Sequence, residues 1–577
     1  MGTHGTHVKG GMMVREETYD VVVVGTGAGG LFAALRAACL GKSVLVLEKG
    51  AQFGGTSAKS GASLWIPNND LMAAVGTTDS REEAFEYLRT LIDDQISDQQ
   101  IHTYIDNAPQ MLRFLAEASP VQFIAVEGYA DYYPDLPGWK SGGRALDALP
   151  IDGRPMGKSL YDMVETPRQS KAMGMVAMSI VEGSAILATV PGWKKILARI
   201  FLKYFLDIPG RLRGARDRRL TQGNALIGGL WMALRERGVP LWLNAPVKEL
   251  IREGDRVTGL MVERDGQQAV RVLARSGVVI AAGGFEANQA MREQYLPQPT
   301  SAQWSAGNPH NTGDLIRQAM DLGAAVKLMD EAWWAPVFKV DGFEQNFVLF
   351  SEKSKPGLIL VDQAGKRFMN EAITYNSYGE KFYGARSQGH DCIPAFAIFD
   401  SRYRKNYMFG PLLQRSYTPD WVHRRLFQRG LMVKADTLRE LALKLDIDPA
   451  GLEASAARME SHAQRGSDEE FHRGDNDHDR YYGDPSVTPN PCLAAIDEPP
   501  FYGARIYPGD IGTKGGLVTN TNAQVLDQAG NVIRGLYAIG NSSASIMGTK
   551  YPGAGCTLGP AMTFAYLAVN HIAASED

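Results

Sequence analysis

Val21-Val22-Val23-Val24-Gly25-Thr26-Gly27-Ala28-Gly29-Gly30 is the stretch that decides the fold of this chain. Four consecutive valines read as a buried β run. The glycines follow in the pattern G-x-G-x-x-G, and residues 31–40 continue as an alanine-rich, helix-like segment. A second β run, residues 43–47, ends at Glu48, eighteen residues beyond Gly30. The glycine pattern alone is a weak signal; between a strand and a helix, with an acid at this distance, it specifies a dinucleotide site. Gly25 permits the tight turn, Gly27 lets backbone approach a pyrophosphate, and Gly30 lets the helix pack against the strand. Ala28 and Gly29 complete the loop at the helix N-terminus, whose N–H groups and positive dipole end attract phosphate. Glu48, with Lys49 beside it, is placed to accept hydrogen bonds from ribose hydroxyls.

Working outward, Gly54-Gly55-Thr56-Ser57-Ala58-Lys59-Ser60-Gly61 follows the Glu48 strand. Small residues there let a flavin ring pass close to backbone, so Gly55, Thr56, Ser57, Ser60 and Gly61 are candidate cofactor contacts. Residues 80–118 carry apolar side chains at three- and four-residue steps, as a helix does. Residues 221–237 read as a helix entering a short strand over 239–243, and Val247 opens the next excursion. A hairpin over 257–274, turning at Asp265-Gly266, leads to a buried strand ending in Ala282-Gly283. Asn311-Thr312-Gly313-Asp314 starts a helix. From about 336 to 510 the texture becomes aromatic, loop-rich and charged. Strand–turn–helix grammar returns with Gly540-Asn541 and with Thr557-Leu558 at the head of an apolar C-terminal helix. The fold class is therefore α/β: a discontinuous, Rossmann-type cofactor domain over 18–335 and 511–577, with an inserted α+β substrate domain over 336–510.

The bulk numbers set limits. A chain of 577 residues can build two or three cores. A net charge of -4 gives no polyanion-binding signature, so no nucleic acid is expected. The four cysteines form no C-x-x-C pair and show no metal spacing, which predicts reduced thiols, no metal and a cytoplasmic protein. Residues 1–17 are polar and read as a disordered extension. No apolar run reaches the ~20 residues of a membrane span. Residues 196–208 are nevertheless apolar, and Arg211, Arg213, Arg216, Arg218 and Arg219 follow. That segment, 196–219, suits either a core helix with a solvated basic loop or a peripheral membrane contact.

With these landmarks in place the chain resembles the flavoprotein 3-ketosteroid Δ1-dehydrogenases, within the group sharing the fumarate reductase flavoprotein fold. The resemblance covers nearly everything from Tyr19 onward. It rests on Trp65-Ile66-Pro67-Asn68-Asn69, Ala130-Asp131-Tyr132-Tyr133-Pro134, Arg367-Phe368-Met369-Asn370-Glu371, Tyr481-Tyr482-Gly483-Asp484-Pro485, Gly512-Thr513-Lys514-Gly515-Gly516 and Tyr551-Pro552-Gly553-Ala554-Gly555. It implies a Rossmann-type (GR2-like) FAD-binding domain with non-covalent FAD, and desaturation of the C1–C2 bond of a 3-ketosteroid in steroid degradation, with a separate acceptor, quinone-type or artificial, reoxidising the flavin. It also implies Tyr375 as base, Tyr132 (with Tyr133 adjacent) as its assistant, and Tyr551 with the Gly555 N–H as holders of the C3 oxygen. Thr374 stands where relatives carry proline.

The chemistry needs such residues. No side chain accepts a hydride, so a flavin is required. The C2 proton is weakly acidic until the ketone is polarised, which is the task of an oxyanion-hole pair. A free tyrosine is only about 0.1% phenolate at neutral pH, so Tyr375 needs a neighbouring donor. Tyr129, Phe347 and Phe350 are candidates for the steroid pocket, with Trp333, Trp334 and Phe564 as further aromatic possibilities. His472 and His478 lie in a charged stretch and read as solvated. Three other readings use the same nucleotide fold: a 3-oxo-5α-steroid 4-dehydrogenase, a fumarate-type reductase, which would need Arg and His to clamp two carboxylates, and a non-catalytic or electron-transfer flavoprotein.

Overall fold

The computed structural model describes residues 15–187, 191–264, 268–340 and 345–575. The four valines form the buried inner half of strand β1 (Arg15–Val24), which runs parallel to Val44–Leu47 (β2) on one side and to Gln268–Ile280 on the other. Burial on both faces is what an unbroken apolar run specifies in a parallel sheet. β1 begins at Arg15, paired with Val270, so residues 15–17 are strand and not the extension expected; residues 1–14 lie outside the described residues. Helix α1 (Ala28–Cys39) starts inside the glycine motif. It packs against the helices Gln222–Glu236 and Leu558–Ala574.

The long strand Gln268–Ile280 joins the parts of the sheet. Its outer half pairs antiparallel with Arg256–Arg264, and its inner half pairs parallel with Val532–Ala538 from the far end of the chain. The second arm of the hairpin and the strand after it, expected as two elements, are therefore one strand; the Asp265-Gly266 turn lies outside the described residues. The helical stretch expected over 80–118 divides into Arg81–Leu91 and Asp98–Ala118. The division falls where Ser97 caps the second helix reciprocally with Gln100.

A second, antiparallel sheet joins Phe347–Val348, Ala332–Phe338, Phe501–Thr513, Ala395–Phe399 and Leu358–Val361, with Val433–Ala435 paired at one side. One face packs aromatic residues around Phe338, Phe399 and Tyr502; the other is covered by Leu438–Leu445 and Pro449–Arg465. Its strands Ala332–Phe338 and Phe501–Thr513 continue out of the nucleotide-binding part and back into it. A cavity of about 1290 Å³ runs from the glycine motif to this second sheet.

Candidate active site

The nucleotide end of the cavity is shaped by glycines with separate tasks. Gly25 has φ +111°, and a Cβ there would lie 2.1 Å from the Ala281 carbonyl oxygen. A Cβ on Gly30 would lie 2.1 Å from the Gly25 oxygen. Both glycines are demanded by chain packing. A Cβ on Gly27 would meet only Ser57 Oγ, at 3.3 Å, so its lack of a side chain keeps the cavity wall open to a ligand. The Ala28 N–H donates to Ser57 Oγ (3.1 Å). No side chain caps α1, and its first turn, with Gly29, faces the cavity as an anion site. Glu48 accepts from the Thr26 hydroxyl and from the Gly50 N–H (2.8 Å). That leaves its carboxylate further lone pairs for sugar hydroxyls. Lys49 pairs with Asp314 (2.8 Å), and Thr56 Oγ1 accepts from the Asn308 N–H (3.0 Å).

Gly55, Ser60, Gly61, Val247, Ala282 and Gly283 line the same space. Gly540, Asn541, Thr557 and Leu558 close it from the C-terminal tail, where the helix Leu558–Ala574 presents a second uncapped N-terminus. This donor set fits a dinucleotide: two helix N-termini, an acid beside the ribose position and a wall with a side-chain-free glycine. A flavin dinucleotide held there would supply a hydride acceptor.

At the far end three phenols meet. Tyr375 and Tyr551 have ring centroids 5.3 Å apart, Tyr132 and Tyr551 stack at 5.7 Å, and Tyr132 meets Tyr375 edge-on at 5.9 Å. The Tyr375 hydroxyl and the Gly555 N–H lie close enough to the Tyr551 hydroxyl to influence its ionisation. Burial pushes all three phenols well above the ordinary tyrosine range, and the neighbouring phenols add to the shift of Tyr375 and Tyr132. Tyr132, and not its neighbour Tyr133, is the member of the pair that faces the cavity. Tyr129 and Phe350 line this end, and Phe350 meets Tyr375 at 4.9 Å.

Tyr132 and Tyr375 each follow closely on a buried ion pair. Ahead of Tyr132, Asp131 accepts from Trp65 Nε1 (2.7 Å) and pairs with Arg144 (2.7 Å), which also pairs with Asp79 (2.6 Å). The Tyr132 N–H donates to the Pro552 carbonyl (2.9 Å), tying this loop to the one that carries Tyr551. Gly555, at φ +104°, lies so close to Leu64 and Trp65 that a Cβ would come within 2.5 Å of their backbone. Ahead of Tyr375, the Glu371 carboxylate is held by Arg367 (2.8 Å) and Arg473 (3.0 Å), which keep it below the usual carboxylate range against the cost of burial. Thr374 sits at φ -54°, a value proline also takes.

Several expectations are corrected. Phe347 does not line the cavity. It packs in the core of the second sheet, while Val348, next along a short strand whose side chains alternate, faces the cavity. Trp333 lies edge-on to Tyr551 (5.2 Å) outside the lining, and Trp334 and Phe564 are core. His472 is exposed, but His478 is buried with its ring 5.1 Å from Tyr132. The charged stretch around it is partly interior, and its buried charges are partnered: Arg473 with Glu371, and Asp479 with the Asn370 amide (2.8 Å), while Asp475, Asp477 and Arg480 are exposed. His462, Asp468 and Glu470 converge, yet Arg367 holds Asp468 and Arg458 holds Glu470, so the group is an ion-pair network.

In the 196–219 segment, helix Trp193–Leu206 exposes Leu202, Phe205 and Leu206, and Ile208 and Leu212 are also exposed. The arginines after it are mostly engaged: Arg218 with Asp207, Arg219 with Glu182, and Arg216 with the Met163 carbonyl and Asn224. No helix among the described residues is long and apolar enough to cross a membrane.

Fold and cradle together define an FAD-binding flavoprotein: residues 20–558 match the FAD binding domain family. The chain is 40% identical over 571 residues to the 3-oxosteroid 1-dehydrogenase of Mycobacterium tuberculosis (strain ATCC 25618 / H37Rv), covering 97% of this chain and 99% of that one. It is 41% identical to the enzyme of the same name from Mycolicibacterium smegmatis (strain ATCC 700084 / mc(2)155), covering 97% and 98%. The crystal structure of 3-ketosteroid delta1-dehydrogenase from Sterolibacterium denitrificans, in complex with 1,4-androstadiene-3,17-dione, superposes with a TM-score of 0.94 at 47% identity, covering 97% of this chain and 100% of that one. The chain belongs to the 3-oxosteroid 1-dehydrogenase family.

Proposed function

We propose that this protein is an FAD-dependent dehydrogenase that introduces the C1–C2 double bond of 3-ketosteroids. The observation that carries the reading is the meeting of Tyr132, Tyr375 and Tyr551, with Gly555 beside them, on one wall of the cavity. In this reading the Tyr551 hydroxyl and the Gly555 N–H hold the C3 oxygen and stabilise the charge that builds there as the C2 proton leaves. Tyr375 takes that proton. Its phenolate is disfavoured by burial and by the phenols around it, so in this reading the base becomes usable when a neighbouring phenol turns to donate to it, and Tyr132, edge-on at 5.9 Å, is the assigned donor. The surrounding apolar rings exclude water and accept a flat hydrocarbon.

A dicarboxylate substrate is disfavoured, because Arg367 and Arg473, the candidate clamps, are both committed to buried Glu371. The Δ4 reading has no observation of its own. Anaerobic addition of a 4-ene-3-ketosteroid to the FAD-loaded protein tests the assignment: the flavin absorbance bleaches in the wild type and survives in Tyr375→Phe.

We further propose that helix Trp193–Leu206 and the turn after it rest on an anionic membrane surface. The support is the row of exposed apolar residues together with exposed Lys194, Lys203 and Arg213. Trp193 also touches Tyr417, which lines the cavity mouth, so the patch adjoins the route of an apolar substrate. Pelleting with anionic vesicles at low salt, lost in Leu202→Ser/Phe205→Ser, is the expected result; equal recovery in the supernatant with and without vesicles contradicts it.

A further inference from the structure

Lysine side chains are rarely buried without a carboxylate, because the ammonium loses its hydration. Lys353 and Lys514 are 2% and 0% exposed. Lys353 Nζ donates to the carbonyls of Ile373, Ala372 (3.3 Å) and Glu371 (3.4 Å), the residues that lead into Thr374-Tyr375. Lys514 Nζ donates to the carbonyls of Thr549 and Lys550 (3.3 Å), the two residues before Tyr551. Two buried lysines from unrelated parts of the chain thus stand in the same relation to the two phenols that face each other.

We infer that Lys353 and Lys514 are positioning residues, each fixing the carbonyls immediately upstream of one of the two site tyrosines and so setting where its hydroxyl lies. Each lysine is itself anchored. Lys353 lies in the turn Glu352–Ser354, and the Arg473 guanidinium donates to its carbonyl (3.4 Å). The Lys514 N–H donates to the Glu331 carbonyl (3.0 Å), and its ammonium lies 4.9 Å from the ring of Trp333, which abuts Tyr551. Burial pulls both ammonium groups down to about 7, the mark of a substantial cost. Asp479 and Glu352, with Arg473 opposing, face Lys353, while Glu331 and Asp93, with Lys550 opposing, face Lys514. An apolar side chain would fill either site without that cost, so what the lysine adds is its set of donors aimed at carbonyls. A misplacement of about 1 Å at a reacting group costs about 10²-fold in rate.

The inference rests on the assignment of Tyr375 and Tyr551 above. The test uses FAD-loaded Lys353→Met and Lys514→Met beside Tyr375→Phe and Tyr551→Phe. Single-turnover flavin bleaching by a 4-ene-3-ketosteroid is measured per bound FAD, and binding of the 1,4-diene product is measured from the shift it causes in the oxidised flavin spectrum. Lys353→Met is expected to slow bleaching about 10²-fold with product affinity within twofold of wild type. Lys514→Met is expected to slow bleaching and also to weaken product binding at least tenfold, because Tyr551 grips the ketone. A purely structural role would lower FAD content and leave the rate per flavin unchanged. Rates within twofold of wild type in the lysine variants, with the Phe variants inactive, overturn the inference alone; wild-type rates in the Phe variants overturn the tyrosine assignment itself. If a Met variant loses FAD, the Gln variant, whose donor stops one methylene short of the carbonyls, is read by the same criteria.

Discussion

The ring of Tyr551 lies 5.3 Å from that of Tyr375, inclined at 60°, although Tyr375 falls between strands of the second sheet and Tyr551 lies beyond the last of them. Both line the cavity, as does Gly555, four residues beyond Tyr551. A ketone oxygen entering this space meets two donors from the C-terminal tail, with a phenol oxygen beside it.

Removing the Tyr551 donor should therefore cost rate more than fold. Tyr551→Phe is expected to lower kcat/KM about 10²–10³-fold while FAD remains bound, as loss of one oxyanion-hole donor does elsewhere. Single-turnover bleaching and the flavin spectrum check the two halves of the statement. An unchanged rate would remove Tyr551 from the chemistry.

The loop ahead of Tyr375 has a shape that proline would reinforce. Thr374 lies at φ -54°, within proline's range, so Thr374→Pro should retain activity and hold or raise the melting temperature. Steady-state kinetics and calorimetry on the variant decide it; an inactive, correctly folded Thr374→Pro would mean that the base-bearing loop takes another conformation.

Arg144 is fully buried between Asp79 and Asp131. Arg144→Met leaves two carboxylates without their cation, and breaking such a network destabilises by about 3–5 kcal/mol. Denaturant unfolding should show that loss. Because Asp131 precedes Tyr132, the same variant should slow turnover even where it folds.

Glu286 is buried, with its carboxyl pushed up to about 7 by desolvation, while the Asn311 amide donates to it (2.6 Å). Its folded value exceeds the unfolded value of about 4.3, so the folded state holds more protons between them. Stability from this group is complete below about pH 4 and is lost as pH rises toward 7. Glu286→Gln should flatten that decline, measured as melting temperature against pH; an unaltered slope would rule out the burial effect.

Legibility in sequence followed the range of the interactions. The nucleotide half was readable because its signals are local: four valines, three glycines and an acid specify strand, turn and helix within thirty residues, and α1 and β2 lie where those signals put them. Tyr132, Tyr375 and Tyr551 come together across the fold, and residue patterns alone could nominate them only through family resemblance. Phe347 was misplaced because alternation on a two-residue strand turns on a one-residue register. His478 was misread because a charged stretch looks solvated until the partners of its charges are known, and those partners lie about a hundred residues away. Lys353 and Lys514 escaped for the same reason: a buried lysine bonded to distant carbonyls leaves no periodic trace.

The most direct measurement is an anaerobic titration of the FAD-loaded protein with a 4-ene-3-ketosteroid from neutral to strongly alkaline pH, followed by flavin absorbance. Bleaching that quickens as pH rises, as a buried phenol base requires, and that is absent from Tyr375→Phe, is the predicted result. A flavin that stays oxidised at every pH with steroid bound, or a Tyr375→Phe protein that bleaches at the wild-type rate, would contradict the account.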